Sequence, residues 1–226
     1  MKRLLLLGAA ALSAAVVTVP ASPAQAATCA NADFVIRPLS AFPDTPRGRS
    51  DFMRQRSTIE RSVLCLVNAE RTARGLRIVT GGTALGNPLP LRVAAARHAA
   101  DAVRIKWWGT VAEVGDCVPR RDKPSECDYH VNPVTRTDPR ARAQAVGYCK
   151  STAIAALAEN TYWGVGREEV TPRAAVAAWM ESDGHRANIL GTAFTSSYTQ
   201  VAYGSPNPVS SGDPAVAYVQ MFGRCA

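Results

Sequence analysis

Apolar residues return at helical spacing in two parts of the chain. Ile59, Val63, Leu66 and Val67 recur through "IERSVLCLVNAERTARG", which predicts a helix from about Ser57 that stops at Gly75. Leu91, Ala95, His98, Ala102 and Ile105 share a face in the segment opened by Pro90, which predicts a second helix. Thr171-Pro172 marks another start, a capping hydroxyl before a proline at the first helical position, and "RAAVAAWM" carries that helix to Gly184. "DPRARAQAVGYC" reads as a short helix, and a mixed apolar run leads from it into Glu159. Two strand-like stretches, "YTQVAYG" and "VAYVQMFG", follow around a turn rich in Gly, Pro and Ser. Helices dominate early and strands late, so the fold class is α+β.

The segments between these elements divide the chain. Lys2 and Arg3 precede the apolar run "LLLLGAAALSAAVV", and Ala24-Gln25-Ala26 follows, the order of a secretory signal peptide over 1–26. A retained anchor is the alternative to cleavage, and a lipid anchor on Cys29 lacks the leucine expected in "AATC". Residues 27–55, with prolines at 38, 43 and 46, read as an extended N-terminal segment ahead of a domain over 56–226. "GGTALGNP" reads as a loop. Residues 109–138 form a long polar stretch holding Cys117 and Cys127, a loop expected to be pinned by a disulfide.

Cleavage after Ala26 leaves 226 − 26 = 200 residues, enough for one domain with a sizeable core. All six cysteines fall in that part, and no C-x-x-C occurs, which disfavours a zinc ribbon or a thioredoxin-like site. Three disulfides in an exported chain are expected; of the 15 pairings, Cys29–Cys65, Cys117–Cys127 and Cys149–Cys225 are the ones chosen. The chain carries 22 Arg and 4 Lys, and its net charge of +8 falls to +6 once Lys2 and Arg3 are removed. These charges are spread along helices rather than clustered with aromatics, so nucleic acid is not an expected partner. Contact with anionic wall polymers stays open. After the leader no stretch is long and apolar enough to span a bilayer.

Chemistry has few candidates. H-E-x-x-H, G-x-S-x-G and the phosphate loop are missing, and Gly164-Val165-Gly166 is too short to signal a nucleotide. Glu159, followed by Tyr162 and Trp163, is either turned to water or held inward by a partner, and composition alone favours the exposed reading. His185 stands in a Gly-His-Arg turn, where a helix C-terminus would already explain it. His98 reads as a core histidine that Asp101 could orient, and His130 as a turn residue before Asn132-Pro133.

Five stretches in order, "LCLVNAERTARGL", "AAARHAADAV", "AENTYWG", "AVAAWMESDGHRANIL" and "YVQMFG", resemble the CAP superfamily. This is the SCP-domain family of cysteine-rich secretory, antigen 5 and pathogenesis-related proteins, here in its bacterial exported type. The resemblance runs from about Ile59 to Cys225. It implies an α-β-α sandwich with a central antiparallel sheet between helical layers, and an open cleft of histidines and glutamates that sometimes holds a divalent metal. By motif, Glu159 corresponds to the family's G-E-N glutamate, His185 to its G-H histidine, and His130 in "HVNP" to the bacterial S-H-x-x-P histidine. His98 matches a residue of the second helix and is taken as structural. Asn160 and Ser182 are secondary cleft candidates.

Three departures stand out. Ala158 replaces the glycine of G-E-N, and the stretch before His130 is long, so that Thr110 keeps the family's count where His130 keeps its motif. Ser182 occupies the place of a second glutamate, and Glu181 is rotated from it by about 100°.

The resulting set is His130, Glu159 and His185. It suits zinc or another divalent ion held by the two histidines, although no cofactor is required, and equally a metal-free hydrogen-bond network. The function expected is secreted, monomeric binding of a small ligand: a lipid, a peptide or a cell-wall fragment. The alternatives are a metal-assisted extracellular hydrolase with Glu159 as its base, and an interaction module with structural cleft residues and a docking loop at 109–138.

Overall fold

The computed structural model describes residues 29–81 and 89–226. The expected signal peptide and most of the "GGTALGNP" loop lie outside them. Strand β3 (Ala215–Cys225) is buried continuously through Gly223, with none of the alternation of a half-exposed strand. Both its faces are covered: Val216, Tyr218 and Phe222 enter one core cluster, and Ala217, Val219 and Met221 enter another. β3 lies between β1 (Ile154–Val165) and β2 (Ser196–Tyr203), antiparallel to each. Helices on both faces complete the α-β-α arrangement, and the fold is of the expected α+β class.

Helix α1 (Pro46–Thr72) starts inside the segment read as extended. Thr45 Oγ1 accepts the Gly48 N–H and Pro46 takes the first helical position, so two residues that punctuate the lead-in are in fact a helix start. Its face of Ile59, Val63, Leu66 and Val67 is buried against the sheet together with α5 (Pro172–Glu181). On the other side lie α2 (Pro90–Ile105), the one-turn α3 (Val111–Val114) and α4 (Pro139–Ala145). The alanines at 94, 95, 99 and 102 are buried in α2, and their small side chains let it lie close to the sheet.

Two further elements depart from expectation. The mixed apolar run before Glu159 is strand β1, despite its "AALAE" helix formers. The helix expected to reach Gly184 ends at Glu181, and the supposed Gly-His-Arg turn is a separate helix, α6 (Asp183–Leu190).

The three disulfides are Cys29–Cys65, Cys117–Cys127 and Cys149–Cys225, as chosen. Cys127 is fully buried, and its N–H donates to Gly109 O at 3.0 Å, so the 109–138 loop is tied both covalently and by backbone. Replacing Cys117 and Cys127 by alanine is expected to cost about 2 kcal/mol, the low end for disulfides because the loop is short. Urea denaturation checks this, and amide exchange should rise first between residues 110 and 130.

Candidate functional site

Two strand-edge carbonyls anchor the site. Trp179 Nε1 donates to Thr161 O at 2.9 Å and Asn188 Nδ2 to Glu159 O at 3.2 Å, so side chains of α5 and α6 cover part of the outer edge of β1. α6 is held at both ends. Asn160 Nδ2 donates to the His185 carbonyl at 3.3 Å, and fully buried Arg71 donates to Ile189 O at 2.6 Å and Gly191 O at 2.8 Å. Arg71 thus satisfies carbonyls at the C-terminal end, where a cation is favoured. His185 follows from this clamp: it is the third residue of α6, at the positive N-terminal end. The dipole there opposes protonation, the reverse of the C-terminal setting expected from sequence.

Glu159 points inward, with its side chain 1% exposed. The exposed reading fails because the carboxylate has three charge-assisted or polar bonds. Arg142 Nη2 donates to Oε1 at 2.8 Å and to Oε2 at 2.7 Å, and His130 Nδ1–H donates to Oε1 at 3.0 Å. Burial alone would raise its pKa, but Arg142, His98 and His130 overcome that and bring it to about 2. The other terminal nitrogen of Arg142, Nη1, donates to the carbonyls of His130 and Thr137, at 2.8 and 2.7 Å. One guanidinium therefore ties the His130 loop to β1.

His130 is placed by this bond and by Asp128, whose Oδ1 accepts its N–H at 2.9 Å. Because Nδ1 is spent on Glu159, Nε2 is left without a protein partner among the described residues. The rings of His130 and His185 lie 6.2 Å apart, centre to centre. Burial, helped by the His130 and Arg120 charges, lowers the His185 pKa to about 4. Thr110 does not reach the site: it caps α3, in a reciprocal pair with Glu113.

His98 joins the set from α2. It is wholly buried, Nε2–H donates to Tyr129 O at 2.8 Å, and Nε2 lies 3.8 Å from Glu159 Oε1. Burial holds its pKa at about 4, so it is neutral at pH 7 and attracts Glu159 as a charge only in acid. Asp101 does not orient it, being engaged instead by Arg104 and Asn132.

The cleft has a volume of about 800 Å³. His130, His185, Ser182 and Asn188 give it polar groups, and Tyr129, Tyr162 and Trp163 give it aromatic surface. Asn160 is buried beneath, bonded to Gln220 and Asn188, and it acts by positioning α6. Glu181 is exposed and does not line the cleft.

A resident metal does not fit these residues. Glu159 already has a cation on both oxygens, which leaves two imidazoles where zinc sites take three or four protein ligands. Among the described residues no group of three His, Cys, Asp or Glu is arranged to hold an ion.

Arg142 was missed in the sequence reading, and no local signal marks it. It is one of two arginines in "DPRARAQAVGYC", where nothing sets it apart from Arg140, and its role depends on where α4 brings it. His98 had a signal, a lone histidine on an alanine face, but its nearness to Glu159 needed the fold.

No protein-family model matches the sequence, and no curated protein matches it. Several solved structures are similar. An extracellular protein containing an SCP domain, from Bacillus anthracis, is 19% identical with a TM-score of 0.46, over 80% of this chain and 44% of that one. An outer surface protein from Borrelia burgdorferi is 14% identical with a TM-score of 0.42, over 73% and 90%. A cysteine-rich secretory protein from Staphylococcus aureus is 12% identical with a TM-score of 0.40, over 75% and 39%. The chain thus spans less than half the length of the first and third. No helix among the described residues is long and apolar enough to cross a membrane. The structures to which this chain is similar are extracellular, outer-surface and secretory proteins, two of them of the SCP and cysteine-rich secretory kind that its motifs resemble.

Proposed function

We propose that the protein is an exported SCP-type domain whose cleft along β1 binds a small polar ligand, a cell-wall fragment in preference to a lipid, without a resident metal. The observation that carries this is the engagement of Glu159 by Arg142 and His130. With its carboxylate neutralised, the cleft offers the polar groups of His130, His185, Ser182 and Asn188 beside aromatic surface, and Arg120, Arg121, Asp122 and Asp128 add opposite charges to its lining. Sugar rings stack on such aromatic faces, and their hydroxyl and amide groups suit His130, His185, Ser182 and Asn188.

The same bonds count against the hydrolase. A general base needs a pKa near the working pH, and a carboxylate held at about 2 with a guanidinium on both oxygens is too weak. The three disulfides support export.

Calorimetric titration with muramyl dipeptide tests the reading. Wild-type protein is expected to bind it at one site, and His185→Ala to weaken it about tenfold, or about 1.4 kcal/mol, with the melting temperature unchanged. Equal affinity in His185→Ala, or no binding to the wild type, contradicts the proposal.

A further inference from the structure

The three aromatic residues of the cleft are not equivalent. Tyr162 is committed elsewhere: its hydroxyl donates to Glu169 O at 2.8 Å, and its ring meets Tyr218 tilted by 50°. Tyr129 instead ends a column of buried rings. It stacks on Trp108 with centroids 5.5 Å apart and planes within 18° of parallel. Trp108 meets Trp107 edge-on, and His98 lies against both indoles. Trp107, Trp108 and His98 are wholly buried, whereas Tyr129 is half-buried and reaches the cleft.

Bonds fix this column as well as packing. The Tyr129 carbonyl accepts from His98 Nε2 at 2.8 Å, and the carbonyl of Asp128, one residue earlier, accepts from Trp107 Nε1 at 3.3 Å. Trp108 is held through its backbone: its N–H donates to Pro206 O at 3.1 Å, and its carbonyl accepts from Asn207 Nδ2 at 2.8 Å. A ring backed and tied in this way loses little freedom when a ligand settles on it. His130 follows directly in the chain, with its Nε2 unpartnered among the described residues.

We infer, on the reading of the cleft proposed above, that Tyr129 turns the ring face not covered by Trp108 towards the cleft, that a sugar ring stacks on it, and that the saccharide rather than the peptide is the part of the ligand selected. A pyranose has an apolar face of C–H bonds and a rim of hydroxyls. One such ring can lie on Tyr129 and present its rim to His130 Nε2, Ser182 and Asn188. A peptide without an aromatic side chain offers no comparable flat face. Tyr129 is thus a specificity-determining residue that acts through its ring and not its hydroxyl.

Titration calorimetry tests this with N,N′-diacetylchitobiose, which has sugar without peptide, beside muramyl dipeptide and L-alanyl-D-isoglutamine, which has peptide without sugar. Chitobiose is expected to bind within about threefold of muramyl dipeptide, and the free dipeptide about tenfold more weakly or not at all. Tyr129→Leu should weaken both sugar ligands about tenfold, and Tyr129→Phe should bind them as the wild type does. Because Tyr129→Leu also removes packing on Trp108, melting curves check its fold and proton NMR gives a second readout. The ring protons of bound chitobiose should move upfield with the wild type and Tyr129→Phe, but not with Tyr129→Leu. Unchanged affinity in Tyr129→Leu, binding carried by the free dipeptide, or unshifted sugar protons in the wild type would overturn the inference and leave the cleft reading standing. Failure of the wild type to bind muramyl dipeptide would overturn both.

Discussion

Arg142→Met is expected to destabilise the protein by about 3–5 kcal/mol, the cost of leaving a buried charge without its partner. Glu159 would keep only His130 as a direct bonding partner, in a site where burial favours its protonated form. The carbonyls of His130 and Thr137 would lose their donor as well, so the loop would loosen along with the ion pair. The double variant Arg142→Met/Glu159→Leu should recover most of the loss, because apolar replacement of a whole buried pair is often neutral. Urea unfolding midpoints of the two single variants and the double give the coupling directly. A cost below about 1 kcal/mol for Arg142→Met, typical of an exposed pair, would mean that the interaction is not buried in solution.

The second large effect is acid sensitivity. His98 has a folded pKa of about 4 against an ordinary 6.5, so the unfolded chain takes up a proton there before the native state does. Its neutral burial is fully compatible with the fold above pH 6.5, and stability is lost as the pH falls from there towards 4. For a wholly buried group that difference corresponds to about 3 kcal/mol. His185 acts in the same direction by a smaller amount, because it is partly exposed. Glu159, lowered from 4.5 to about 2, contributes stability above pH 4.5 that disappears as the pH falls through 2. The groups facing this cluster, Arg142 and His130, keep the carboxylate ionised throughout the neutral range. The melting temperature is therefore expected to fall by roughly 6–12 °C between pH 7 and 4. His98→Phe should flatten that part of the curve, whereas a flat wild-type profile would contradict the burial of neutral His98.

Much of this was legible in the sequence, and the rest had physical reasons to be hidden. Pro90 and Thr171-Pro172 announce their helices because caps and proline act locally. Strand β1 was hidden because "IAALAENTYWGV" contains good helix formers and is protected on both faces, so no alternation marks it. α6 was hidden because Gly184 and His185 look like a turn; the helix is held by Arg71 and Asn160, residues far away in the chain. Glu159, His130 and His185 were found through family motifs. Composition alone placed Glu159 at the surface, since nothing near it in sequence signals the counter-charge. Arg142 supplies that charge from 17 residues upstream, through a loop whose path a disulfide and several backbone bonds decide.

Glu159 is committed to Arg142, and the cleft is proposed to bind its ligand without a metal. The most direct test is a calorimetric zinc titration of the oxidised protein at pH 7, beside His130→Ala and His185→Ala. No stoichiometric uptake at micromolar zinc is expected in any of the three. One zinc per chain in the wild type, lost in both variants, would contradict it.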